Sequence, residues 1–448
     1  MIDMTNGDCN KSILKFALPM IIGNVFQQIY NLVDSIIVGK FIGANALAAV
    51  GSSFAIVVFL NSIIIGLAMG VGIMLAQYYG SKEMDKFKET IITSLIFIGG
   101  ATIFIISISL FGINKILELF NMPAELASDS KKYLIIIILG LIFTFIYNLS
   151  TALLRSIGDS KRPLYFLIIA SLINIILDLV FVLKLNLGVE GVAIATVIAQ
   201  SVSAILSSIY VYRKIDFIKI SKCDIKISKN IFKEVIRYSV LTSIQQSIMN
   251  FGILIVQGLV NTFGATVMAA FAAGVKVDSI AYMPVQDFGN AFSTFVAQNK
   301  GAGKIDRIKD GVRSSIKVII IFCVITSSLI IIFSKDIMLL FINKNETEVI
   351  ALGVEYISVV AIFYVLIGFL FMFYGLFRGI GLLSISIVLT IVSLGTRVVL
   401  AYVLSATKLG ASGIWWSIPI GWALADIIGA ICIKLKLGKI VNENRLEV

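Results

Sequence analysis

The sequence predicts an all-α polytopic membrane protein with twelve transmembrane helices, arranged as two parallel six-helix repeats. Of its 448 residues, 58% are hydrophobic and only 14% are charged, and the mean hydropathy is +1.00. Soluble domains carry roughly 25% charged residues, so much of this surface must face lipid. Apolar stretches that match the length of a bilayer-spanning helix, about 20 residues, recur along the whole chain. Short segments of the first half also recur in the second half.

Charged residues or Gly and Pro separate the apolar stretches and delimit twelve spans. The predicted spans are 13–38, 47–77, 90–112, 133–154, 163–185, 189–212, 235–262, 266–298, 314–334, 350–377, 381–407 and 411–433. Several of them are longer than a bilayer crossing requires, which indicates tilt or extension beyond the membrane.

The basic residues predict the orientation of the chain. Most of the 37 Lys and Arg residues fall in loops on the same side as the two termini, including Lys82, Lys86 and Lys88 and the basic stretch 213–237. Cytoplasmic loops are enriched in Lys and Arg, so we predict that both termini are cytoplasmic. These loops also account for the net charge of +11, and no nucleic-acid partner is expected.

Four short segments recur in the same order at a nearly constant offset, which indicates an internal repeat. The matching pairs are 43–49 with 264–270, 76–80 with 297–301, 155–158 with 378–381 and 187–191 with 409–413. Each copy holds six spans, an even number, so the copies enter the membrane from the same side and are parallel. We predict a first lobe at 1–212, a basic cytoplasmic linker at 213–234 and a second lobe at 235–448.

Several functional classes are excluded or disfavoured by what the sequence lacks. It has no histidine, so proton chemistry must use carboxylates, and its four cysteines show neither disulfide nor metal-binding spacing. It has no G-x-x-x-x-G-K-[ST] loop, which argues against an ATP-driven pump. The first residues do not resemble a cleaved signal, so the first span is expected to remain in the mature protein.

Ionisable and amide side chains inside the spans are the candidate functional residues. Span 1 carries Asn24, Gln27, Asn31 and Asp34 on one helical face, and span 5 carries Asn174 and Asp178 one turn apart. Such residues are costly in lipid and face a bundle interior or a water-filled cavity. Helix-to-helix hydrogen bonding is the alternative role for the amides. Counting residues along each span places both acids, with Thr196 of span 6, in the outer half of the first lobe.

The second lobe lacks this set of residues. At the repeat offset, Asp34 is replaced by Ile255, Asp178 by Ala401 and Asn174 by Arg397. We expect Arg397 to form a structural ion pair with Asp426, and a role in substrate binding is the alternative. No role is assigned to Asp278 and Asp287, which flank Pro284, and the pair Gly66-x-x-x-Gly70 predicts close helix packing.

Taken as a set, the motifs resemble the multidrug and toxic compound extrusion family over nearly the whole chain. They are Leu18-Pro19, Val33-Asp34, Gly43-Ala44, Leu47–Gly51, Ala76-Gln77 with Gly80, Leu154-Arg155, Gly158–Pro163, Asn174 with Asp178, and Gln298–Gly303. The resemblance implies two six-helix lobes around a V-shaped central cleft that opens alternately to each side of the membrane. It also implies export of bulky lipophilic compounds, often cationic, driven by inward H⁺ or Na⁺.

The resemblance further implies which residues form the site. Members of this family have a cation site in the first lobe, a polar network near it and a hinge proline in span 1, and this chain matches them at those positions. The cation-site positions are Asp34, Asp178, Asn174 and Thr196, the network is Tyr30, Gln27, Asn31 and Asn148, and the hinge is Pro19. Some members carry acidic ligands in spans 7 and 10 instead, but this chain has Gln245 and Gln246 in span 7 and only Glu355, near the outer end, in span 10. No second-lobe cation site is therefore expected.

We therefore hypothesise a secondary antiporter in a bacterial plasma membrane, acting as a monomer on small organic substrates. It is expected to be neither an enzyme nor cofactor-dependent, with H⁺ or Na⁺ as coupling ion and no metal other than Na⁺ at the two acids. Gln246 and Met249 of span 7 are predicted substrate contacts. The alternative is a flippase for a lipid-linked precursor of the same broader superfamily, which requires a basic cavity for its anionic head group.

Overall fold

The computed structural model describes residues 1–119, 122–215 and 227–446, and this part of the chain is helical and contains no strand. The first eight helices are α1 (Cys9–Ile37), α2 (Ala44–Ser81), α3 (Met84–Phe111), α4 (Ile113–Leu119), α5 (Ala124–Ser156), α6 (Lys161–Leu179), α7 (Gly188–Lys214) and α8 (Lys229–Asn261). The remaining helices are α9 (Ala265–Gly301), α10 (Ile305–Ile332), α11 (Ser334–Leu339), α12 (Thr347–Ala361), α13 (Tyr364–Gly379), α14 (Leu383–Ser405) and α15 (Ala411–Leu446).

The structure confirms the all-α, twelve-span prediction. Within the described residues, 11 helical segments are long and apolar enough to cross a membrane, and the bent pair α12–α13 supplies the twelfth crossing. The short helices α4 and α11 lie between predicted spans, where the sequence predicts no helix.

The described chain forms two compact units. The first contains Met1–Asp3 and Leu18–Ser247, and the second contains Met4–Ala17 and Ile248–Val448. Two helices, α1 and α8, therefore each contribute to both units. The predicted lobes 1–212 and 235–448 divide the chain after the sixth span, whereas the two units group residues that lie close together in space. Of the predicted linker, residues 216–226 lie outside the described residues.

Span 10 is broken, whereas the sequence predicts one continuous helix at 350–377. Helices α12 and α13 meet at a bend of 50°. At the break, the Ser327 hydroxyl donates a hydrogen bond to the carbonyl oxygen of Ala361 at 2.6 Å, and the amide of Phe363 bonds back to Val360 at 3.1 Å. A side chain that bonds to a helix carbonyl replaces the regular intrahelical partner, which is a recognised cause of kinks.

Two glycines allow α2 to pack closely against the first half of α8, as the Gly66-x-x-x-Gly70 pattern predicts. A Cβ atom on Gly66 would lie 2.4 Å from Cα of Ser243, and one on Gly70 would lie 2.3 Å from the carbonyl oxygen of Tyr238. The Ser243 hydroxyl also donates to the carbonyl oxygen of Ile63 at 3.1 Å. Because lipid is as apolar as the helix surface, such close packing and interhelical bonding hold membrane helices together.

Gly70→Ala is expected to destabilise the first unit because its new methyl group meets helix backbone and not a flexible side chain. Overpacking of this kind costs about 1–3 kcal/mol, which should lower the thermal unfolding midpoint by about 2–4 °C per kcal/mol. The measurement is thermal unfolding of the purified protein in detergent. Gly100→Ala on α3 is the matched control, since nothing lies within 4 Å of its Cβ position. Equal midpoints for both variants would contradict the packing account.

Candidate cation site

Two carboxyl groups from different helices meet inside the first unit. Asp34 of α1 and Asp178 of α6 lie within hydrogen-bonding range of each other. Neither oxygen of Asp178 nor Oδ1 of Asp34 accepts a hydrogen bond from the described residues. Because an ionised carboxylate can only accept, their contact becomes a hydrogen bond only when one of the two carries a proton. The geometry therefore suits a shared proton or a shared cation.

The surroundings of the two acids are polar but contain no compensating basic group. Tyr30 of α1 and Tyr133 of α5 both lie within electrostatic range of Asp34 and Asp178, and Gln27 lies within hydrogen-bonding range of the Tyr30 hydroxyl. Among the described residues, no Lys or Arg acts on either acid. The acids therefore have no fixed positive partner inside the unit, and an exchangeable cation can take that role.

Asn174 adds a third group with unused bonding capacity. It lies one turn before Asp178 on α6 and is 2% exposed, and neither its amide nitrogen nor its amide oxygen has a partner in the described part of the chain. Buried polar groups are normally hydrogen-bonded, so this concentration of unpartnered oxygens is unusual. Carboxylate and amide oxygens are suitable ligands for hard cations such as Na⁺.

Both acids lie just before a π-helical turn. Val38–Ile42 continues α1 beyond Asp34, and Val180–Lys184 continues α6 beyond Asp178. Such turns are rare and are found frequently at functional sites. Residues from both turns join a buried apolar cluster formed by Ile37, Val38, Ala46, Val182, Val189 and Val192. Apolar packing therefore follows the two acids along α1 and α6.

Three of the predicted site residues bond within their own helices. The Thr196 hydroxyl donates to the carbonyl oxygen of Val192 at 3.0 Å, and the Asn148 amide donates to that of Thr144 at 2.8 Å. Asn31 is half-buried, and its main-chain carbonyl oxygen accepts a hydrogen bond from the Ser35 hydroxyl. The structure thus brings together Asp34, Asp178 and Tyr30, with Gln27 beside Tyr30. Direct cation contact by Thr196, Asn148 and Asn31 stays a prediction.

The other predicted positions lie on α1 and α8. Pro19 lies inside α1, two residues after the point at which the chain passes from the second unit to the first. Gln246 and Met249 are half-buried on α8. The hinge role of Pro19 and the substrate contacts of Gln246 and Met249 stay predictions.

Sequence reasoning missed Tyr133, and one signal pointed to it. Tyr133 lies three helical turns before Thr144 in span 4, so it extends the polar face formed by Thr144, Asn148 and Thr151. Besides lying near both acids, it packs against the apolar cluster at the π-helical turns. Its ring therefore connects the apolar cluster to the polar site.

Comparison with known proteins identifies the family. Residues 19–180 and 240–403 match the MatE family, which covers more than half of the chain. The chain belongs to the MatE family. This confirms the predicted resemblance to the multidrug and toxic compound extrusion family.

Individual relatives cover nearly the whole MatE chain. It is 32% identical to the probable multidrug resistance protein YoeA of Bacillus subtilis over 93% of this chain and 92% of the relative. It is 24% identical to the probable multidrug resistance protein NorM of Thermotoga maritima over 96% and 92%. An outward-facing structure of a multidrug resistance MATE family transporter is similar in fold, with a TM-score of 0.92, 24% identity and 98% of both chains covered.

In the second unit of this MatE protein, the predicted pair of Arg397 and Asp426 is wrong. Both carboxylate oxygens of Asp426 are buried without a partner among the described residues. The acid that acts electrostatically on Arg397 is Asp278 of α9. The sequence prediction pairs opposite charges on the neighbouring spans 11 and 12. In the structure, the groups that act electrostatically on Arg397 belong to spans 8 and 10.

Asp178→Asn is expected to stabilise the MatE protein, because the amide carries no charge and can donate a hydrogen bond to Asp34. Functional sites commonly retain such unfavourable arrangements at a cost in stability. The unfolding midpoint at neutral pH should rise by about 2–4 °C for each kcal/mol gained. The control is Asp129→Asn, a change at an exposed acid on α5, which should leave the midpoint unchanged. A lower midpoint for Asp178→Asn would show that the acids are not in unfavourable contact.

Proposed function

We propose that this protein is a secondary active antiporter that exports lipophilic, often cationic compounds in exchange for H⁺ or Na⁺. The observation that carries the proposal is the meeting of Asp34 and Asp178 with no basic partner among the described residues. Relatives over almost the full length are named multidrug resistance and multidrug export proteins, which supports drugs as the substrate class. We further propose a bacterial plasma membrane location with both termini in the cytoplasm.

Exchange follows from the charge of the two acids. Two carboxylates in a medium of low dielectric constant do not titrate independently, so the pair binds a proton or Na⁺ as a unit. Binding of that ion removes negative charge from the first unit and weakens its attraction for a cationic substrate. By thermodynamic reciprocity, bound substrate weakens ion binding to the same extent. A transmembrane ion gradient can therefore drive export, with the π-helical turns and Pro19 as the deformable parts of α1 and α6.

The flippase alternative has less support from charge. An anionic lipid head group requires basic residues in the membrane, whereas the first unit concentrates acids. Of the intramembrane basic residues, Lys276 lies over the ring of Phe341 at 5.7 Å, and Arg397 has the acid Asp278 as its neighbour. Transport of a pyrophosphate lipid in proteoliposomes, in the absence of dye export, would favour the alternative.

Asp34→Asn and Asp178→Asn are each expected to lower coupled dye export at least tenfold, equivalent to about 1.4 kcal/mol. The reason is that the remaining carboxyl can no longer share an ion with its partner. The measurement is export of a cationic dye from proteoliposomes under a pH gradient and, separately, under a Na⁺ gradient. The gradient that drives the wild-type protein identifies the coupling ion.

Asp129→Asn is again the matched control and should export dye at the wild-type rate. Wild-type coupled transport by both Asp34→Asn and Asp178→Asn would refute the exchange mechanism. Wild-type dye export that neither gradient accelerates would refute antiport with these ions.

A further inference from the structure

One buried acid of the second unit has no role in the proposed exchange. Asp426 of α15 is 8% exposed, and neither of its carboxylate oxygens has a hydrogen-bond donor among the described residues. Gly429 of the same helix packs against α13, since a Cβ atom there would lie 2.7 Å from Cδ2 of Phe373. Residues three apart share a helix face, so Asp426 faces α13 inside the unit and does not face lipid.

The helices around Asp426 hold several ionisable groups, and these groups interact elsewhere. Helices α12, α13 and α14 pack against α15. The titratable or charged residues that they hold inside the unit are Glu355, Tyr356, Tyr364, Tyr374, Arg378 and Arg397. Tyr356, Tyr364 and Arg397 interact with Asp278, and Glu355 accepts a hydrogen bond from Ser412. Arg378 donates hydrogen bonds to the main-chain carbonyl oxygen of Tyr374 at 3.1 Å and to the amide oxygen of Asn290 at 3.2 Å.

Asp426 therefore has no positive partner in the described part of the chain. Of the groups just named, only the Tyr374 side chain lies within electrostatic range of this acid, and it carries no positive charge. A buried carboxylate without a compensating cation is costly, and such a group is neutralised by taking up a proton. A metal cation would require several oxygen ligands, whereas a proton requires one lone pair and no cavity. H⁺ is therefore the ligand that this position suits.

A row of buried hydroxyl groups leads along α14 toward this acid. The row consists of Ser386, Thr390 and Ser393, which share one helical face and are at most 3% exposed. That face packs on α15, since a Cβ atom on Gly421 would lie 2.4 Å from the carbonyl oxygen of Ser393. Thr390 lies within hydrogen-bonding range of the Tyr374 hydroxyl, which in turn lies near Asp426.

The row begins close to the end of its helix. Ser386 lies one turn after the start of α14, beside the exposed Ser384, and its hydroxyl oxygen has no partner among the described residues. Hydroxyl groups can both donate and accept hydrogen bonds. The row can therefore pass a proton between the end of α14 and the buried acid.

We propose that Asp426 is a second proton-binding site, loaded through the hydroxyl row that begins at Ser386 and independent of the Asp34–Asp178 pair. Uptake of H⁺ converts the carboxylate into a carboxylic acid, and release reverses the step. The sequence predicts no cation site in the second lobe because the acidic pair is absent there, but a single buried acid suffices for a proton. The use of this site in transport rests on the proposed export function, whereas proton binding does not.

The experiment detects the proton by infrared spectroscopy of the full-length purified protein in detergent at neutral pH. A protonated carboxyl group has a C=O stretching band that an ionised carboxylate lacks, and unperturbed acids are ionised at this pH. The wild-type spectrum should contain a component of this band that Asp426→Asn removes. The component should shift in heavy water, because the proton exchanges with solvent. It should persist in the double variant Asp34→Asn/Asp178→Asn.

Three further variants test the path and the specificity of the signal. Ser386→Ala should slow the heavy-water shift of the Asp426 component by about tenfold or more, because a positioned proton carrier is lost. Ser384→Ala, a change at an exposed serine of the same helix, is the matched control and should leave that rate unchanged. Asp336→Asn, a change at an exposed acid of α11, is the control for Asp426→Asn and should leave the band unchanged.

The results also separate this site from the proposed exchange. An unchanged band in Asp426→Asn would overturn the proposal, as would a component that does not shift in heavy water. Equal exchange rates for Ser386→Ala and Ser384→Ala would overturn the hydroxyl path. Loss of the component in the double variant would assign the proton to the first unit, whereas its retention there, together with loss of coupled export, supports two independent sites. If Asp426→Asn gives no folded protein, Asp426→Glu should move the component without removing it, and an unmoved component would overturn the assignment.

Discussion

An ionisable side chain inside a membrane span must be compensated, neutralised or accessible to water, and this requirement explains most of what distinguishes the two units. In the first unit, Asp34 and Asp178 lie within hydrogen-bonding range of each other, and no Lys or Arg of the described ranges acts on them, so they suit a mobile ion. Two π-helical turns and apolar packing follow them along α1 and α6.

At Asp278, the second unit meets the same requirement with fixed groups. Asp278 has two tyrosine donors and a neighbouring arginine, so its charge is already compensated by protein. This arrangement would bind a cation poorly, in agreement with the absence of the acidic pair from the second half of the sequence. The repeat thus keeps one helical scaffold, while the acidic pair of the first half is replaced by Ile255 and Ala401 in the second.

Helix packing and helix breaks have different physical origins in this molecule. Gly66 and Gly70 remove side-chain volume so that backbones approach closely, which holds α2 and α8 together. The break between α12 and α13 contains neither Gly nor Pro and depends on the Ser327 hydroxyl of α10, which bonds to the freed carbonyl of Ala361. A glycine pattern is local and readable, whereas a break supported by a neighbouring helix is a tertiary feature.

The sequence by itself determined the membrane class, the twelve spans, the repeat and the acids to examine, because apolar length and charge exclusion are properties of each segment alone. It also identified Gly66 and Gly70 as a site of close helix packing. Only the tertiary structure decided which polar groups meet. It brought Asp34 to Asp178, added Tyr133, and directed Arg397 to Asp278 and not to Asp426. The reason is that helix rotation and crossing depend on side chains of several helices at once, and spacing within one helix carries no information about its neighbours.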